Sequence, residues 1–108
     1  EGDGSPGAFE RVVHMPRHIP DGIAFDTDGG LWIACHRPDA IYRYDLGSRH
    51  LELFCEDWTG EELRGPTDVS FGGPNRDIML AASLDNLCVH RFDNTGFTGL
   101  RLNNPKVG

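Results

Sequence analysis

Residues 19–35 read Ile-Pro-Asp-Gly-Ile-Ala-Phe-Asp-Thr-Asp-Gly-Gly-Leu-Trp-Ile-Ala-Cys, and this stretch decides the fold class. Ile23 and Phe25 alternate with Gly22, Ala24 and Asp26, the period-two signal of a strand with one covered face. Residues 31–35 form a short apolar run rich in strand formers. Between them, Asp26-Thr-Asp-Gly-Gly30 supplies residues that tolerate positive φ and cap their own backbone, so the chain reverses into an antiparallel hairpin. Pro20 cannot donate to a ladder, which places Asp21 at the strand's start, at an end of the sheet where sites collect.

Downstream of the hairpin, Arg37-Pro-Asp39 is a turn, residues 40–46 a third strand, Leu46-Gly-Ser48 a turn and residues 51–55 a fourth strand. The polar stretch 57–64, with room for one helical turn at most, ends in the loop signal Gly65-Pro66. Then the pattern starts over. Ile23 and Phe25 match Val69 and Phe71 at a spacing of 46 residues, residues 78–82 repeat 31–35, and Arg43-Tyr-Asp45 matches Arg91-Phe-Asp93 at a spacing of 48. Residues 96–102 read as a weaker fourth strand of the repeat.

A four-strand unit recurring every 40 to 50 residues or so is the mark of a β-propeller blade. The expected architecture is all-β: a single partial propeller unit over residues 1–108, with two four-stranded antiparallel blades at 20–56 and 66–103. Residues 9–15 read as one further strand, the outer strand of a preceding blade. Blades bury their faces only against neighbours, so two of them call for more, from the same gene or from identical subunits. Trp32, Tyr42, Tyr44, Phe25, Phe71 and Phe92 are the expected packing between blades.

Seventeen acids against ten Lys and Arg give a net charge of −7 and exclude nucleic acid and anionic membrane as partners, since both need clustered basic residues. Cys35, Cys55 and Cys88 show no metal-binding or disulfide spacing. No apolar run is long enough to span a bilayer and no secretory signal is visible, so a soluble, cytoplasmic protein is expected.

Ile19-Pro-Asp-Gly, Asp28-Gly-Gly-Leu-Trp-Ile-Ala-Cys35, Ile41-Tyr-Arg-Tyr-Asp45 and Pro66-Thr-Asp-Val-Ser-Phe-Gly-Gly73 together carry a family resemblance. Over residues 9–103 the chain resembles the C-terminal part of the senescence marker protein, gluconolactonase and luciferin-regenerating enzyme family, the regucalcin-like proteins. The resemblance implies part of a six-bladed propeller with a divalent metal (Ca, Zn or Mg) on its axis and hydrolysis of a small-molecule sugar lactone. It implies that Asp21 is a metal ligand and catalytic group. The family's other ligands lie on blades this chain does not contain.

A lactone needs its carbonyl polarised and a water made nucleophilic, and a metal with an acid beside it supplies both. His36, after the Trp-Ile-Ala-Cys strand, is the candidate for lining the substrate cleft. Asp68 and Thr67 read as strand-start residues. Asp26 and Asp28 read as hairpin-turn residues, since the later bidentate acid of a calcium loop is missing. His14, His18, His50 and His90 have no ligand spacing, and no Ser/His/Asp set can be assembled. The alternative to a lactone hydrolase is a non-catalytic blade module that self-assembles and binds a cation or small ligand; a third possibility is a degenerate fragment without activity.

Overall fold

The computed structural model describes residues 7–8, 10–15, 17–57, 63–84 and 87–101. These contain seven strands and no helix, and so none long and apolar enough to cross a membrane. Strands β1 (Ile19–Phe25), β2 (Gly30–His36), β3 (Asp39–Asp45) and β4 (His50–Asp57) form one antiparallel sheet in the order β1-β2-β3-β4. A second antiparallel sheet contains β5 (Pro66–Gly72), β6 (Ile78–Ser83) and β7 (Cys88–Phe92), again in sequence order. Two sheets of successive up-and-down strands are consistent with propeller blades.

Local chemistry accounts for the reversals. Gly29, at φ 79°, turns β1 into β2, with Asp28 and Gly30 donating their backbone N–H groups to Asp26 Oδ1 at 2.9 Å each. Ser48 N donates to Asp45 Oδ1 at 2.8 Å in the turn between β3 and β4. Residues 37–38, with a cis Arg37–Pro38 peptide, join β2 to β3.

The two sheets pack face to face. Trp32, Ala34 and Ile41 from the first interleave with Val69, Met79 and Ala81 from the second, and Phe54, Phe71, Phe92 and Phe97 close around them. Trp32 is wholly buried and meets Phe54, Phe71 and Phe97 edge-on at 4.9, 5.5 and 5.6 Å between ring centroids, each such contact adding about 1 kcal/mol to the burial itself. The opposite face of the first sheet presents Leu31, Ile33, Cys35, Ala40 and Tyr44, partly covered by Val13 and Met15. Of the aromatics expected between the sheets, Trp32, Phe71 and Phe92 lie there, Tyr42 and Tyr44 lie on this opposite face, and Phe25 is exposed.

The internal repeat appears in the pairing. Trp32 stands opposite Arg43 and Leu80 opposite Arg91; Ala24 stands opposite Trp32 and Ser70 opposite Leu80. The equivalent of Leu31 is therefore Met79, one residue beyond the match read from sequence, because the paired residues Phe71 and Met79 are two positions further apart in the chain than Phe25 and Leu31. An offset of one exchanges the two faces of a strand, so this register decides which side of the second sheet is covered.

Two expected strands join no multi-residue ladder among the described residues. Residues 10–15 join no ladder among the described residues, since a lone strand needs a neighbour to bond. Residues 96–101 do not extend the second sheet. They cross to the first, where Gly99 bridges Asp26, Thr27 N donates to Thr98 O (2.8 Å) and Leu100 N donates to Phe25 O (2.9 Å). Phe97 draws them there by filling the space beside Trp32. Residues 58–62, within the expected polar link, and residue 9 lie outside the described residues.

Trp32→Ala is expected to cost about 4 kcal/mol, read as a lowered denaturant midpoint, because the cavity opens in the centre of the inter-sheet core. Cys35 is fully buried, and burial pushes its thiol up to about 11. Ellman's reagent at neutral pH should leave Cys35 unmodified until denaturant is added.

Candidate functional site

In the first sheet, Pro20 pairs with Cys35 and Ile23 with Ile33, so Asp21 and Gly22 together oppose the single residue Ala34. This is a β-bulge, a device that re-aims a side chain at a strand end. It brings Asp21 Oδ2 to 3.5 Å from His36 Nε2, at the end of β2. Both side chains are accessible, His36 at 27% and Asp21 at 50%. The two residues singled out from sequence for different roles thus form one ion-pair contact.

The second sheet repeats the bulge between Pro66 and Asp68, with Thr67 in the place of Asp21. Asp68 lies directly beside Gly22: a Cβ on residue 22 would collide with the Asp68 side chain and backbone and with the Thr67 carbonyl. Asp68 Oδ1 accepts from Val69 N at 2.9 Å, which agrees with a strand-start role. A groove of about 290 Å³ runs between β1 and β5, lined by Ile23, Phe25, Asp68 and Phe71 among others, and stops short of Asp21 and His36.

Among the described residues no group of three or more His, Cys, Asp or Glu side chains is placed to hold a metal ion. One carboxylate and one imidazole do not satisfy a calcium or magnesium ion, which takes six or so oxygen donors, or a zinc ion, which takes three or four protein ligands. The donors present do not by themselves fit the metal implied by the resemblance.

The residue whose weight the sequence understated is Asp26, read there as a turn residue. It is buried, and its carboxylate accepts from Trp32 Nε1 at 2.8 Å and from Arg43 at 2.7 Å (Nε) and 3.3 Å (second nitrogen), besides the turn amides. The Arg43 guanidinium also lies 4.0 Å from the centre of the Phe97 ring. Burial alone raises the carboxyl's pKa, but Arg43, Gly30, Trp32 and Asp28 outweigh it and hold it below the ordinary value of 3.8. A sequence signal existed in the Asp26, Trp32 and Arg43 pattern, but only strand register shows that the three meet.

This cluster is structural and sits at the turn end of the β1–β2 hairpin, opposite the end that carries Asp21 and His36. Asp26→Ala leaves Arg43 buried with only the longer contact to Asp45 at 3.6 Å and is expected to cost about 3 kcal/mol. Gly30→Ala should also destabilise, because a Cβ there would displace the Arg43 and Asp26 side chains. Since the folded carboxyl is depressed, its contribution is complete above the unfolded value and is lost as pH falls below 3.8 toward the folded value. Urea midpoints measured through that range should fall in the wild type and change less in Asp26→Ala.

Comparison with known proteins finds partial likenesses. The chain is 32% identical over 72 residues to an uncharacterized protein of Sulfolobus acidocaldarius, covering 63% of this chain and 23% of that one. It is 33% identical over 81 residues to the pentonolactonase XacC of Haloferax volcanii, covering 73% of this chain and 26% of the enzyme. A shorter match, 42% over 33 residues, is to regucalcin of Sus scrofa, covering 31% and 11%. The chain thus spans about a quarter or less of the length of these relatives. No protein-family profile matches, and no solved structure does. The likeness is to lactonase-like and regucalcin-like proteins, over part of their length.

Proposed function

We propose that this chain carries part of a lactone-hydrolase site of a β-propeller, with Asp21 and His36 as its polar pair. The observation that supports it is the bulge that sets Asp21 Oδ2 3.5 Å from His36 Nε2 at an accessible sheet end. The partial likeness to a protein named pentonolactonase supplies the substrate class, a sugar lactone.

These two groups supply the activation of water, the general-base part of the reaction. Asp21 holds the imidazole through Nε2, leaving Nδ1 to accept a proton from a water molecule beside the lactone. The hydroxide formed adds to the carbonyl carbon; the ring C–O bond then breaks and the departing oxygen takes the proton back from the imidazolium. The product is the open-chain hydroxy acid, and the Asp21 carboxylate stabilises the transient imidazolium. A divalent metal would polarise the carbonyl when bound. Asp21 is the residue here that would contribute to holding it, and no step above runs through it.

Hydrolysis of a pentonolactone, followed by acid release, tests the reading. Asp21→Asn and His36→Gln should each slow it by about 10² or more while leaving the circular dichroism unchanged, as both side chains are accessible. Hydrolysis by the folded chain no faster than in buffer, or at a rate indifferent to both substitutions, would overturn it. Calcium binding in a titration calorimeter without turnover would instead favour the non-catalytic binding module.

A further inference from the structure

Among the described residues the second sheet has one strand fewer than the first. With Leu80 opposite Arg91 as Trp32 is opposite Arg43, β7 stands where β3 does, and β4 has no counterpart among the described residues. The outer edge of β7 is left without a strand partner there, because residues 96–101 have crossed to the first sheet. An open edge of this kind is a template for another strand.

The outward face of the same sheet is open as well. Leu80 and Val89 are 37% and 61% exposed, whereas Trp32, the counterpart of Leu80, and Ile41, the counterpart of Val89, are wholly buried under the second sheet. Chain equivalents with opposite burial mark a face that awaits a cover.

Residues 10–15, Glu-Arg-Val-Val-His-Met, are the complementary feature: a strand-forming segment in no ladder among the described residues. Phe9-Glu-Arg-Val-Val13 repeats the apolar-Glu-x-apolar-apolar pattern of Leu51-Glu-Leu-Phe-Cys55 in β4. In β4, Glu52 stands across from Arg43. The chain's own segment cannot reach β7, because Val13 and Met15 pack on the face of the first sheet that points away from the second.

We propose that residues 10–15 of a second copy of this chain add to the outer edge of β7 as the fourth antiparallel strand of the second sheet. Glu10 of the incoming copy then lies across from Arg91, in the register place that Glu52 holds opposite Arg43. That copy continues from the added strand into β1, bringing its exposed Ile23 and Phe25 toward the open Leu80 and Val89 face. The contact joins two different surfaces, so it propagates head to tail and closes as a ring where the rotation allows. The inference does not depend on lactone chemistry, and its readout is mass rather than turnover.

Sedimentation equilibrium across a dilution series tests it. The chain should run at multiples of 12.0 kDa and dissociate on dilution. Arg11→Pro and Val12→Pro probe the added strand: successive residues alternate in which edge they bond, so one of the two must remove a donor from the new ladder. That variant should associate roughly tenfold more weakly. Neither position is in a ladder within its own protomer and both are exposed, so the fold is expected to survive. Glu10→Arg and Arg91→Glu should each weaken association roughly threefold, and the double variant should recover it. A single 12.0 kDa species at every concentration would overturn the proposal, as would an oligomer indifferent to all of these substitutions.

Discussion

The buried carboxylate of Asp26 is the interaction on which the rest depends. Taking a carboxylate and a guanidinium out of water costs several kcal/mol for each ion, and the cost is met only if every hydrogen-bonding site is used well. Here it is. Two backbone amides of the turn, the Trp32 indole N–H and the Arg43 fork converge on the two oxygens. The same side chain therefore closes the β1–β2 turn, orients the largest core residue and locks β3 against β2. Through the contact of Arg43 with Phe97 it also anchors the segment that ties the second sheet to the first.

Comparison of the two repeats shows why that cluster occurs once. Arg91 occupies the register position of Arg43, but the second sheet has Gly72 where the first has Asp26, and Arg91 pairs with Asp93 at 2.7 Å with both side chains more than half exposed. A guanidinium left in water needs no buried counterion, whereas one covered by a neighbouring sheet does. The acid is present in the repeat whose face is covered.

The accessible pair, Asp21 and His36, has the opposite character. The buried cluster is satisfied and shielded, so it is fitted to hold structure; the bulged sheet end is open and its groups face solvent, so they can meet a ligand. A hairpin held rigid at its turn and open at its other end is what a site built on strand ends requires.

Alternation, turn residues and the recurrence at 46 and 48 residues made the antiparallel sheets legible in the amino-acid sequence, because each is a local or periodic property. Asp21 and His36 were also legible as polar residues at strand ends, though not as partners, since their contact depends on a bulge of two residues against one. Only the tertiary structure decided the one-residue register that faces Met79 rather than Leu80 toward the first sheet. It also decided the convergence of Asp26, Trp32 and Arg43, and the diversion of residues 96–101 away from β7. The physical reason is the same in each case: these features follow from which side chains compete for one buried space, and that competition involves residues far apart in the chain.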